Sequence, residues 1–232
     1  MFFYHFQYML WILPGLLLSL WASWRTRSAF SKYSRVRTAR GLTGAQAAQE
    51  MLRAAGIGDV KVVATTGMLT DHYNPATKTL ALSEEVYGSP SIAAVGVACH
   101  EAGHAVQHAR AYKPLWLRSA LVPTAKIGSS LGYIVMLVGL VFLHSAQVVL
   151  FGALLFAMVL VFQIVTLPVE FDASARAKRL AVENGIVMQQ ERQGMDRVLN
   201  AAALTYVAAV VSTLLTLLYY LMRAGILGGR RG

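Results

Sequence analysis

Residues 127–169 read IGSSLGYIVMLVGLVFLHSAQVVLFGALLFAMVLVFQIVTLPV, 43 positions without one Asp, Glu, Lys or Arg. At about 1.5 Å per helical residue, this stretch can cross a hydrocarbon core of about 30 Å twice. The polar His144-Ser145-Ala146-Gln147 near its middle marks the tip of a membrane hairpin. The whole chain agrees: 56% of its 232 residues are hydrophobic and 14% are charged, against about 25% charged in an average soluble domain. Residues 1–24 are also uncharged, and a further apolar run covers 201–222. The expected fold is mostly α, with about four transmembrane helices near 4–24, 125–143, 146–168 and 202–222.

A cleaved signal peptide is the alternative for the first run. It lacks a basic leading segment, and Trp21, Ala22, Ser23 and Trp24 stand where a small-residue cleavage site is needed. Trp11, Trp21, Trp24, Tyr4 and Tyr8 suit an interfacial belt, which favours an uncleaved anchor.

Charge sets the expected orientation. Twelve of the 21 Lys and Arg residues fall between Arg25 and Arg118, and five between Arg176 and Arg197. The N-terminal tail and hairpin tip have none, so the positive-inside rule puts the two intervening segments in the cytoplasm. Arg223, Arg230 and Arg231 run against this assignment, but they are few. The expected order is an anchor (1–24), a cytoplasmic α+β segment (25–123), a transmembrane hairpin (124–169), a cytoplasmic helical segment (170–200) and a last span with its tail (201–232). Arg25, Arg27, Lys32, Arg35, Arg37 and Arg40 follow the first span and suit anionic lipid headgroups. The net charge of +10 does not imply nucleic-acid binding, because much of it lies beside the bilayer and no nucleic-acid module is visible. A single cysteine, Cys99, excludes an intrachain disulfide.

Within the first polar segment, Thr43 and Gln46 form a capping-box pattern for a helix to about Ala55, stopped by Gly56. Val60 to Thr65 and Thr79 to Ser83 read as strands, with a turn at Asn74-Pro75. Ser89 and Pro90 then read as N-cap and first-turn proline of a helix to about Ala109. In the second polar segment, helical periodicity continues through 169–200 with a break at Gly185.

The helix ending near Ala109 carries His100-Glu101-Ala102-Gly103-His104. Histidines four apart on a helix are separated by about 40° around the axis and one turn along it, so both rings can reach one ion. Glu101 falls beside that ion, where a carboxylate can take a proton from water. A catalytic zinc needs a third protein ligand. The candidates are His108, Glu170, Asp172, His72 and Asp71. His108 lies about 12 Å beyond His100 along the helix, too far to share its ion unless the helix breaks. The ten-residue variant of the pattern turns the chain at a glycine, and Gln107 holds that position here. Glu170 leaves the apolar run as a carboxylate that needs a partner. Spacing alone equally permits Glu170 at the interface and Asp172 paired with Arg176 one turn on.

Longer stretches carry a resemblance. Met68-Leu69-Thr70-Asp71-His72-Tyr73-Asn74-Pro75, Thr79-Leu80-Ala81-Leu82-Ser83, Ser91-Ile92-Ala93-Ala94-Val95, the His100–His104 motif with Gln107, and Pro114-Leu115 to Arg118-Ser119 and Pro123 closely resemble the YugP-like neutral zinc metallopeptidases of bacterial membranes. The resemblance covers nearly the whole chain, including Val169-Glu170-Phe171-Asp172-Ala173-Ser174. A more distant similarity is to the HtpX and CAAX-prenyl-protease type of membrane gluzincin. It implies one zinc ion per chain on His100, His104 and Glu170, Glu101 as general base, and a zincin-like cytoplasmic unit. That distant group has an acidic residue four beyond its ligand glutamate, where this chain has Ser174, with Asp172 as the candidate substitute.

The resemblance also implies a protein or peptide substrate lying along an edge strand, with Thr79 to Ser83 the candidate, by strand addition. His72 and Tyr73 are candidate oxyanion donors, against the plainer reading of a turn histidine and a packing aromatic. The expected function is a membrane endopeptidase. An intramembrane site-2-type protease fits less well, since only Val86 to Cys99 is uncharged before His100 and no Asp lies inside a later span. A scaffold protein with a structural metal is the rival of another class. Gly128, Ser129, Ser130, Gly132, Gly139 and Gly152 permit close helix packing, which leaves room for a homo-oligomer or a membrane partner protein.

Overall fold

The computed structural model describes residues 2–67 and 69–227. Met68, Arg230 and Arg231 lie outside them, as do the side chains of Tyr4 and Tyr8. The chain is mostly helical: α1 (Phe2–Tyr33), α2 (Gly44–Ala54), β1 (Lys61–Thr65), β2 (His72–Asn74), β3 (Thr79–Ser83), α3 (Glu84–Tyr87), α4 (Ile92–Ala109), α5 (Lys113–Ile127), a π-helical turn (Gly128–Gly132), α6 (Tyr133–Val141), α7 (Ala146–Glu183) and α8 (Arg192–Arg223). Among the described residues, three helical stretches are long and apolar enough to cross a membrane: Lys113–Val141, Ala146–Glu183 and Arg192–Arg223. The span expected at 4–24 lies in the 32-residue α1, which is not one of these three.

Two compact units divide the chain. The first gathers Met1–Ala22, Trp116–Pro168 and Thr205–Gly232. Its buried core is Met136, Val149, Ala153, Tyr219 and Tyr220. The hairpin turns at 142–145, and its two arms meet at glycines: a Cβ on Gly152 would lie 2.6 Å from the Met136 nitrogen.

The second unit comprises Ser23–Leu115 and Val169–Leu204. Its core joins Met51 and Leu52 of α2, Leu80 and Leu82 of β3, Val95, Ala98, Cys99 and Ala102 of α4, and Ala177 and Ala181 of α7. α2 starts at the expected capping box: Thr43 Oγ1 accepts from Gln46 N (3.3 Å), and Gln46 Oε1 accepts from Thr43 N (2.9 Å). Gly56 follows its end with φ +74°, and α7 likewise gives way to Gly185 with φ +66°.

Two local expectations are corrected. The α4 cap is Ser91, whose Oγ accepts from Ala94 N, rather than Ser89. The Pro90 carbonyl instead accepts from Thr38 N and Oγ1, and Ile92 N donates to Val36 O, so 90–91 is held extended against 36–38 and the helix starts only at Ile92. Nor is β3 an edge strand. It lies between β1, paired in parallel from Lys61↔Thr79 to Thr65↔Ser83, and β2, paired antiparallel from His72↔Ala81 to Asn74↔Thr79. Leu80, Ala81 and Leu82 are all buried, which explains its central place, and the unpaired edges belong to β1 and β2.

α4 approaches α7 closely at Gly103, where a Cβ would stand 2.6 Å from the Ala173 carbonyl oxygen. Any side chain there must push the two helices apart. Replacing Gly103 with Ala is therefore expected to cost about 1–3 kcal/mol, as overpacking does. Thermal unfolding of the detergent-solubilised protein measures it, with a Gly56→Ala variant as the strain-only comparison.

Candidate active site

Helical spacing brings His100 and His104 onto one side of α4, their ring centroids 4.8 Å apart and their planes at 83°. Glu170, 70 residues beyond His100, arrives on α7. Its Oε2 stands 3.2 Å from His100 Nε2 and 3.5 Å from His104 Nε2. One ligating atom from each residue lies within 4.8 Å of the others, so the group can hold a metal ion. Donors about 2.0–2.2 Å from one tetrahedral zinc stand about 3.3–3.6 Å from each other, so the two imidazole–carboxylate distances fit. Two histidines and a glutamate also match zinc in chemistry. All three residues belong to the second unit.

The opposite ring nitrogens are engaged as well. His100 Nδ1 is 3.0 Å from Ser174 Oγ, and His104 Nδ1 is 3.0 Å from Gln107 Oε1. Gln107 is fully buried, and its Nε2 donates to the Val169 carbonyl and to Asp172 Oδ2, both at 2.8 Å. Asp172 Oδ2 also accepts from Arg176 Nε at 2.5 Å, and the Arg176 guanidinium lies over the Tyr112 ring. Such contacts orient metal-binding imidazoles and raise their basicity.

Glu101 is buried on α4. Burial alone would push the His104 pKa down, but the carboxylates of Glu170 and Glu101 and the Gln107 amide outweigh it and raise the value. The neighbouring Cys99 thiol is pushed up to about 12 by burial, so it is no thiolate ligand near neutral pH.

The other candidates go elsewhere. His108 Nδ1 lies 2.8 Å from the Tyr73 hydroxyl, so these two residues meet each other. Asp71 accepts from Ser83 N and Oγ, tying off the end of β3. His72 is exposed, and its Nδ1 donates to the Thr70 carbonyl at 2.7 Å. Asp172 meets Arg176, as its spacing suggests, and reaches His104 through Gln107. The roles of Gln107 and Ser174 were missed. Each had a helical signal: Gln107 lies three residues after His104, and Ser174 four after Glu170, spacings that share a helix face.

The raised His104 pKa gives two trends of opposite sign. In the metal-free protein, its stabilisation is fully present below the ordinary histidine value and is lost as pH rises through the raised value. Zinc requires the neutral ring, so zinc affinity should strengthen over the same rise. Thermal unfolding of metal-free protein and chelator competition, compared across about pH 5 to 9, check both trends.

Comparisons with known proteins agree with this chemistry. The family described as "Putative neutral zinc metallopeptidase" matches residues 8–225. "Putative membrane protease YugP" of Bacillus subtilis (strain 168) is 43% identical over 210 residues, covering 90% of this chain and 93% of that protein. No solved structure matches. A Zn2+ cofactor follows from the family and from a histidine–glutamate group able to take the ion. With apolar helices suited to membrane association, the chain belongs to the neutral zinc metallopeptidase family.

Proposed function

We propose that this protein is a multi-pass membrane endopeptidase that cuts membrane or membrane-proximal proteins at the cytoplasmic face. The observation that carries the reading is the convergence of His100, His104 and Glu170 from two helices onto one point, His104 and Glu170 buried and His100 partly so, beside a buried Glu101. His100 Nε2, His104 Nε2 and a Glu170 carboxylate oxygen are the metal ligands. Zinc, when bound there, supplies the Lewis acidity that polarises a scissile carbonyl and makes water a nucleophile near neutral pH.

The residues of the chain do the rest. Glu101 takes the proton from the attacking water and returns it to the leaving amine, the work of one carboxylate in both directions. Its negative charge also helps to raise the pKa of His104. Ser174 and Gln107 hold the two imidazoles by their far nitrogens. Cytoplasmic placement is supported by the basic residues of 25–118 and 176–197. With β3 closed on both sides, the edges open to an extended substrate among the described strands are those of β1 and β2.

Glu101→Gln should still bind one zinc per chain while casein cleavage falls at least about 100-fold. Glu170→Ala should lose the metal. Zinc content and cleavage are read on the same purified detergent-solubilised protein. Full turnover by metal-replete Glu101→Gln removes the base, and zinc retained by Glu170→Ala but lost in His108→Ala overturns the third ligand.

A further inference from the structure

We infer that Gln107 is a positioning residue: it locks His104 in the tautomer protonated at Nδ1 and ties that ring to the backbone beside Glu170. The Gln107 amide has one accepting oxygen and a nitrogen with two hydrogens. Both acceptors near Nε2, the Val169 carbonyl and the Asp172 carboxylate, are oxygens at 2.8 Å. Turning the amide over would set its oxygen against both and lose two hydrogen bonds. Gln107 has no exposed surface, so solvent cannot relieve that loss. Oε1 therefore faces His104 Nδ1, and an oxygen acceptor requires that Nδ1 carry the hydrogen. Nε2 is left with its lone pair on the side where Glu170 lies.

The same amide also sets spacing. Val169 directly precedes Glu170, so one side chain fastens a ring on α4 and the main chain beside a carboxylate on α7. Arg176 holds Asp172 in place behind it. This inference rests on the ligand reading above, but the tautomer can be read without metal.

The test uses the full chain in detergent, zinc-stripped, with 15N-labelled histidine at alkaline pH. The His104 signal is assigned by its loss in His104→Asn. Wild type should show the Nδ1–H pattern. Gln107→Met keeps the length and burial of the side chain but removes its polar atoms, so the Nε2–H form should gain population. Its zinc affinity by chelator competition should fall about 10–100-fold, with its helical circular dichroism retained. Wild-type His104 in the Nε2–H form overturns the inference, and that measurement stands even if Gln107→Met cannot fold. A folded Gln107→Met with unchanged tautomer and zinc affinity overturns it too. Wild type that shows the Nδ1–H form but binds no zinc supports the lock and defeats the ligand reading instead.

Discussion

The contact between α4 and α7 at Gly103 and Ala173 is the constraint on which the second unit depends. A metal centre shared by two helices needs donors a few ångströms apart, and that is possible only where the backbones themselves come close. Ala98, Ala102 and Ala105 on α4, and Ala173, Ala177 and Ala181 on α7, are all essentially buried. Alanine gives up no side-chain entropy when it packs, so these faces can close tightly without ordering long groups. The apolar gain per residue is small, however. Larger side chains, Met51, Leu80, Leu82, Ile186 and Met195, supply the bulk of the core around the contact.

Into this tight contact the protein places polar groups that water cannot reach. Gln107 and Glu170 are among its most deeply buried large side chains. A buried amide left unmatched would cost about 1–3 kcal/mol. Here each polar atom of Gln107 has a partner: His104, the Val169 carbonyl and Asp172. The network thus joins what holds the helices together to what orients the ring nitrogens. A change made for stability at this contact is also a change to the chemistry.

The features legible in the sequence are those with local causes. The His100–His104 spacing, the Thr43 capping box and the glycine stops depend on residues a few positions apart, the hairpin on one continuous uncharged run, and each has its counterpart in the structure. The third member of the cluster, Glu170, is a candidate from its place after an apolar run, where a carboxylate needs a partner, but spacing left it level with an interfacial carboxylate and the resemblance singled it out. What was not legible depends on distant segments. β2 is only three residues long, and β3 became central because β2 folded onto it. Ser91 rather than Ser89 caps α4 because residues 36–38 occupy the backbone around Pro90. Gln107 looked like a mismatch to another zinc pattern until α7 supplied its partners, 62 and 65 residues away.

The separation of 70 residues between His100 and Glu170 also bears on biosynthesis. At about 5–20 residues per second, a ribosome adds that length in roughly 4 to 14 seconds. During this interval the nascent chain has the histidine pair but not Glu170. The hairpin between them must be made before α7 can deliver Glu170 to α4. Chain order therefore lets Glu170 join the His100–His104 pair only after the apolar hairpin between them has been synthesised.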